Sequence, residues 1–278
     1  MNDLLPPLFE VSDQEDSVST LVTFHAHPDD ECMVTGGTIA RAAAEGHRVV
    51  LVVATGGEMG EYPDGFVSGP EELAVARREE LARSAEILGV SRVVHLAYRD
   101  SGMAGTESNQ DPRCFARADV TEAARRLATI LGEESADVIT VYDANGGYGH
   151  PDHMMVHRVG IAAAHMAGVG EIFQATMNRD HMLGLMEAAA KEFPEMVPAD
   201  MRAEFEANPF GTPAAEIDTE VDVSPYLSRK LESLKAHASQ IGSTGFALRF
   251  PEDAFAAAFS TEWFISATPG GERRTWLL

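Results

Sequence analysis

Residues 25–31, His-Ala-His-Pro-Asp-Asp-Glu, put two imidazoles and three carboxylates on seven positions directly after the apolar run Leu21-Val22-Thr23-Phe24. Pro28 fixes its own φ and restricts the residue before it, so a chain leaving a strand here enters a tight turn. If that turn runs into a helix start near Asp29–Glu31, His27 and Asp30 can converge on one point while Asp29 projects separately. Such a nitrogen and oxygen pair suits Zn²⁺. The same three acids would also be comfortable as caps and charges at a helix N-terminus. A second stretch, Asn-Gly-Gly-Tyr-Gly-His-Pro-Asp-His at 145–153, follows another strong β run, Val138–Tyr142, and repeats the His-Pro-Asp signature with His153 three residues past His150. Catalytic zinc takes three protein ligands and keeps one position open for water. The first turn supplies two, so one of His150 and His153 completes the set and the other is left to meet a substrate.

The segments that must position these turns alternate between strand and helix. Residues 21–26, 48–54, 93–96 and 138–142 read as strands; 36–45, 71–88 and 120–131 read as helices, the last two ended by Gly89 and Gly132. Repeated β-α-β with nearly continuous apolar strands predicts an α/β fold, a Rossmann-like, doubly wound, mostly parallel sheet. Ligands bind at the carboxyl ends of such strands, where the two acid–histidine turns and the polar loops 55–70 and 99–114 fall. The last third is read as strand at 172–177, helix at 182–192, a Pro-punctuated stretch at 194–213, an alternating strand at 216–223 and an amphipathic helix at 226–239. The division expected is a catalytic core over 1–170 and a C-terminal lobe over 171–278 that completes the sheet and shapes the substrate pocket, the two forming one continuous domain or two.

Composition removes several function classes. With 44 Asp and Glu against 21 Lys and Arg, the formal charge is −23, which disfavours nucleic acid and anionic membranes as partners. No apolar run approaches membrane-spanning length. Two cysteines are too few for a disulfide framework and residues 1–10 lack a basic, apolar leader, so a cytoplasmic setting is expected. The glycine-rich stretch 55–62 lacks both the GxGxxG spacing of a dinucleotide site and the GK[ST] of a phosphate loop; its glycines read as a loop that must approach the metal or a sugar closely. Cys32 reads as a small buried residue, His25 as either support behind the site or a strand end, and His157 as an exposed helix residue. His237 has no local partner that singles it out.

The paired motifs AHPDDE (26–31) and GHPDH (149–153) resemble the zinc-dependent PIG-L/LmbE-like de-N-acetylase superfamily. RDSGMAGT (99–106) and YDANGGYGHPDH (142–153) resemble the deacetylase of mycothiol biosynthesis, whereas TGGEMGE (55–61) and CFAR (114–117) resemble the mycothiol S-conjugate amidase. The resemblance covers residues 21–165 well, with a weaker echo at 229–241. It implies that His27, Asp30 and His153 hold one zinc per chain and that Asp29 is the general base. It further implies that His150 faces the substrate carbonyl, that Asp152 is its orienting neighbour, that Tyr148 is a mobile phenol near the acyl oxygen, and that Arg77, Asp100 and Met103 contact the sugar or inositol. Beside those last implications, Arg77 also reads as an ordinary surface charge within RREEL, and Met103 as a core residue.

The activity expected is hydrolytic removal of an N-acetyl group from an N-acetylglucosaminyl conjugate such as N-acetylglucosaminyl-inositol. The alternatives are cleavage of a larger mycothiol S-conjugate amide and a noncatalytic sugar-binding metalloprotein. Asp29 argues against the last, since it has no ligand duty and no evident fold duty. The partner is a small sugar or sugar conjugate; the sequence leaves oligomeric state open.

Overall fold

The computed structural model describes residues 18–192, 210–240, 248, 251–268 and 273–278. Much of the Pro-punctuated stretch read at 194–213, residues 194–209, lies outside them. Strands β1 (Thr20–His25), β2 (Arg48–Thr55), β3 (Arg92–Tyr98), β4 (Val138–Tyr142), β5 (Glu171–Thr176), β6 (Thr219–Asp222) and β7 (Thr261–Ser266) form one sheet in the order β3-β2-β1-β4-β5-β7-β6. The first five are mutually parallel; β7 runs antiparallel to both β5 and β6.

Both faces of the parallel part are covered, which is why β1 and β4 are buried throughout and β2 at every position after Arg48. Side chains alternate across the sheet. Val22, Phe24, Val50, Val52, Ile139 and Val141 pack with α4 (Val120–Glu133) and α6 (Pro151–Ala167). On the other face Leu21 and Val49 pack with α2 (Gly36–Ala44), and Leu51 and Val53 with α3 (Pro70–Leu88). The chain winds outward from β1 to β3, then returns to wind the other way through β4 and β5. The crevice at that reversal lies beyond the carboxyl ends of β1 and β4, the strands that end in the two acid–histidine turns.

The last third departs from the sequence reading beyond residue 239, where that reading named no element: Glu252–Phe259 is helical and a further strand follows it. The stretch Thr261–Ser266 was not expected to be a strand, yet β7 is wedged between β5 and β6 and carries the sheet onward. The alternation expected at 216–223 is present in β6, where Thr219 and Val221 are buried and Glu220 and Asp222 exposed. The helix expected at 226–239 is Leu227–Ala236, and helix α7 spans Arg179–Glu192. No helix among the described residues is long and apolar enough to cross a membrane.

Candidate metal centre and active site

The end of β1 delivers His27 and Asp30 into the crevice through a strained turn. Asp29 caps the five-residue helix α1 (Asp30–Val34) with φ 114° and ψ −23°, a left-handed backbone costing of order 1–3 kcal/mol for a side chain other than glycine. Asp30 folds back so that its Oδ2 accepts the His27 amide proton at 2.8 Å. The end of β4 is different. His150 is extended, caps α6 by accepting the Asp152 amide proton at its Nδ1 (3.1 Å), and is followed by Pro151 at the first helical position. His153 then projects from the first turn of a seventeen-residue helix. The turn before it, α5 (Gly146–Gly149), requires glycine at Gly146: φ is +63°, and a Cβ there would lie 2.6 Å from the Cβ of His153.

Three of these groups meet. His27 Nδ1 lies 3.3 Å from His153 Nε2, while Asp30 Oδ2 is 3.4 Å from His27 Nδ1 and Asp30 Oδ1 is 3.4 Å from His153 Nε2. A tetrahedral ion with ligands at about 2.0–2.1 Å separates its ligand atoms by about 3.3–3.4 Å; the two imidazole nitrogens stand at that spacing with one Asp30 oxygen beside each, so the trio suits zinc in donor type and its two nitrogens in spacing. Two further groupings share His27, one with His150 and His153 and one with Asp100 and Asp152. The second approaches the opposite ring nitrogen: His27 Nε2 is 3.2 Å from Asp152 Oδ2 and 3.5 Å from Asp100 Oδ1. A carboxylate behind a ligating histidine fixes its tautomer and leaves the other nitrogen free for a metal. In the first grouping His150 already uses its Nδ1 as the helix cap. Its Nε2 is then the nitrogen that carries the proton in a neutral ring.

Electrostatics follow this geometry. Burial opposes charge on His27, but Asp100, Asp152 and Asp30 outweigh it and raise the imidazole well above its usual value. Burial likewise opposes ionisation of Asp30, yet His153 and His27 hold its carboxyl well below the ordinary range. His150 is pushed down to about 4 by burial and by the neighbouring His27 and His153. Burial pushes the Asp29 carboxyl up to about 6, against the pull of the Arg77 guanidinium. Asp29 stays outside the trio: its Oδ1 pairs with Arg77 Nη2 at 3.0 Å.

The remaining residues singled out in the sequence fall in two groups. Tyr148 is half exposed, its ring 5.0 Å from that of His153 and 6.2 Å from that of His150; Met103 is exposed on the 99–114 loop. Asp152, Asp100 and Arg77 are instead buried and already bonded. Asp152 accepts from the Ser101 amide at 2.9 Å and from the Ser101 hydroxyl, so its carboxylate addresses His27 rather than His150. Asp100 accepts from the amides of Gly102 (2.8 Å) and Met59 (3.1 Å). Arg77 is no surface charge: it is 3% exposed and donates to the carbonyls of Gly57 (2.6 Å) and Pro28. Gly57, at φ +67°, makes room for that guanidinium, since a Cβ there would lie 2.5 Å from its Cζ. The glycine expected to approach metal or sugar approaches Arg77 instead.

His25 sits behind the centre, bonded to the Tyr142 hydroxyl at 2.8 Å and Thr35 at 3.0 Å. His157, half-buried, bonds the Tyr142 carbonyl. Cys32 is buried in α1, its thiol donating to the Asp29 carbonyl. Three participants were given no role in the sequence reading. Ser101 holds Asp152; Glu31 accepts the Asp29 amide proton at 3.0 Å; and His237, fully buried, contacts Glu31 at 2.7 Å. Glu31 is the last acid of the first motif and Ser101 lies within RDSGMAGT, whereas His237 carried no signal.

Comparison with known proteins adds the family. The family described as PIG-L, GlcNAc-PI de-N-acetylase, matches residues 22–164, the stretch from β1 to the last turn of α6 that carries the whole trio. The chain belongs to the PIG-L de-N-acetylase family. Among similar curated relatives are two proteins named 1D-myo-inositol 2-acetamido-2-deoxy-alpha-D-glucopyranoside deacetylase. That of Saccharomonospora viridis is 41% identical over 238 residues, covering 81% of this chain and 87% of its own; that of Acidothermus cellulolyticus is 37% identical over 274 residues, covering 92% and 93%. The fold is shared with N,N'-diacetylchitobiose deacetylase from Pyrococcus horikoshii (TM-score 0.51, 23% identity, covering 89% of this chain and 76% of that one). It is shared also with the 4-carboxy-2-hydroxymuconate hydratase GalB from Pseudomonas putida (TM-score 0.60, 18% identity, 91% and 98%), so the fold alone does not fix the chemistry of a PIG-L-like site.

Proposed function

We propose that this protein is a zinc-dependent deacetylase that hydrolyses the acetamide of an N-acetylglucosaminyl conjugate, N-acetylglucosaminyl-inositol being the substrate we favour. The observation that carries the reading is the convergence of His27 Nδ1, His153 Nε2 and the Asp30 carboxylate within 3.4 Å of one another, with a separate carboxylate, Asp29, beside them. The substrate is taken from the two relatives above, whose names specify a glucosamine acetamide joined to inositol.

Amide hydrolysis needs an activated water, a stabilised oxyanion and a proton for the leaving amine. His27, Asp30 and His153 would hold one zinc, which when bound acidifies water and polarises a carbonyl. Asp29, outside the ligand set and oriented by Arg77, takes the proton of the attacking water. His150, with Nδ1 committed to the α6 cap, offers an Nε2 proton to the carbonyl oxygen as negative charge develops there. Tyr148, exposed at the rim beside both histidines, adds a second donor to that oxygen. Asp152 and Asp100 hold the His27 ring, with Ser101 and the loop amides fixing the carboxylates in turn. Met103 and the 99–114 loop border the entrance where the second ring of the substrate would lie. Arg77 and Asp100 shape that wall from within.

We assign residues 1–170 to the catalytic core and 171–278 to the part that completes the sheet and walls the pocket, a division supported by β6 and β7 joining the same sheet. A cytoplasmic setting is supported by two free, buried cysteines, Cys32 and Cys114. Amine release by the zinc-loaded protein should be measured side by side on N-acetylglucosaminyl-inositol and on a mycothiol S-conjugate. A higher kcat/KM on the first is expected. Preference for the S-conjugate would establish the amidase alternative, and turnover of neither would remove the hydrolase reading.

A further inference from the structure

The buried face of α3 carries an apolar stripe of Leu73, Leu81, Ala85 and Leu88 and, beside it, a polar one. Arg77, Glu80 and Ser84 are 3%, 1% and 0% exposed, and their spacing aligns them on one stripe. Each reaches a different element. Arg77 holds the Pro28 carbonyl and the Asp29 carboxylate. Glu80 accepts from the amide (2.7 Å) and hydroxyl (2.6 Å) of Ser239. The Ser84 hydroxyl lies 2.5 Å from Glu31 Oε1 and 2.7 Å from the Ser233 hydroxyl. The stripe thus fastens the segment 233–239 against the turn that carries Asp29.

His237 lies in that segment and is as fully buried as Ser233 and Ser239. Its Nε2 donates to Glu31 Oε1 at 2.7 Å. Its Nδ1 has no hydrogen-bond partner among the described residues, so the bond to Glu31 is the one polar commitment for which this ring is buried. The other Glu31 oxygen, Oε2, accepts the Asp29 amide proton at 3.0 Å. Asp29 is the residue held at φ 114°, a conformation that persists only where its surroundings over-determine it. We infer that His237 is a positioning residue: by fixing the Glu31 carboxylate it holds the strained Asp29 peptide, and thereby aims the Asp29 carboxylate at the water it deprotonates. The inference rests on the reading of Asp29 as base. It gives the C-terminal segment a role in the chemistry although no residue of it joins the metal trio.

The test is a double-mutant cycle on zinc-loaded protein, with zinc content, KM and kcat read for each variant. His237→Ala should lower kcat about 10- to 100-fold, the effect of losing a hydrogen bond to a charged group, with zinc content and KM near wild type. His237→Gln, which can return an N–H donor near the Nε2 position, should recover most of that loss. In an Asp29→Asn background His237→Ala should change kcat less than about twofold, because residues acting through one group are not additive. Should His237→Ala not fold, Glu31→Gln carries the same comparison, since an amide has one oxygen and cannot accept at both positions, the one facing the Asp29 N–H and the one facing His237. Unchanged kcat in His237→Ala, loss of zinc in step with kcat, or a full multiplicative loss in the Asp29→Asn background would each overturn the positioning role. Full turnover by Asp29→Asn alone would remove the base reading itself, a distinct result.

Discussion

The two His-Pro-Asp turns have nearly the same sequence and opposite mechanics. In the first, proline leads into Asp29 at φ 114° and a five-residue helix, with the Asp29 carboxylate paired to Arg77 and its backbone N–H donated to Glu31. In the second, proline occupies the first position of a seventeen-residue helix with regular capping, and His153 inherits the stiffness of that helix. The first turn stores strain at the residue assigned to proton transfer, whereas the second supplies a rigid imidazole. A metal site built across them draws one feature from each: precise placement from α6 and a separately aimed base from α1. The lesson is that motif identity specifies donors, while the elements on either side decide what those donors do.

The largest effect should come from breaking either half of the trio. His27→Ala and His153→Ala each remove one of three ligands, so both should fail to retain zinc after equilibration at limiting metal, and turnover should fall to background. His157→Ala, one helical turn beyond His153 and bonded to the Tyr142 carbonyl, should keep most of both. Stoichiometric zinc in the His153 variant would mean that the second turn does not contribute a ligand, and the comparison would collapse.

Next in size is the change that separates the adjacent aspartates. Asparagine tolerates positive φ better than most residues, so Asp29→Asn leaves the turn intact while removing the basic oxygen. Zinc content should stay near wild type and kcat should fall by about 10²–10⁴, the usual contribution of general acid–base catalysis. Asp30→Asn should instead weaken zinc retention. Loss of zinc on changing Asp29 would show that the two neighbours have exchanged roles.

How far these roles were legible depended on sequence distance. His27, Asp29 and Asp30 lie within four residues, and His150 and His153 within another four, so local spacing after two strands was enough to expect convergence. The parallel sheet was legible for a related reason, since strands buried on both faces read as apolar runs. Glu31 and His237 stand 206 residues apart, and no periodicity links them. The polar stripe of α3 was hidden by its own composition: Arg77, Glu80 and Ser84 look like solvent-facing residues until their buried partners on other elements are known. Strand β7 was missed because Thr261–Ser266 shows three consecutive buried residues and no alternation, and its pairing with β5 and β6 is set by tertiary position. Asp152 was legible as a functional acid, but its partner was not, because Ser101 and His27 approach it from two other strand ends.

The smallest predicted effect tests the comparison at the two prolines. Pro151 sits where a helix has no use for an N–H, so its contribution is a pre-set φ and a less flexible unfolded chain. Pro151→Ala should therefore cost about 0.4–1 kcal/mol of stability, a fall in Tm of about 1–3 °C, with turnover unchanged. Pro28 acts at a strained site. It confines His27 to extended backbone, its carbonyl receives the Arg77 guanidinium, and the next residue carries the positive φ. With alanine there, His27 and Asp29 gain backbone freedom that must be lost again when the site is assembled. The same 0.4–1 kcal/mol should then appear in the rate, as a two- to fivefold fall in kcat of roughly that energy. Calorimetry and saturated turnover on the two variants check the contrast. Equal losses of rate would show that the second turn is as finely balanced as the first, and that the stiffness assigned to α6 does not insulate His153 from its own turn.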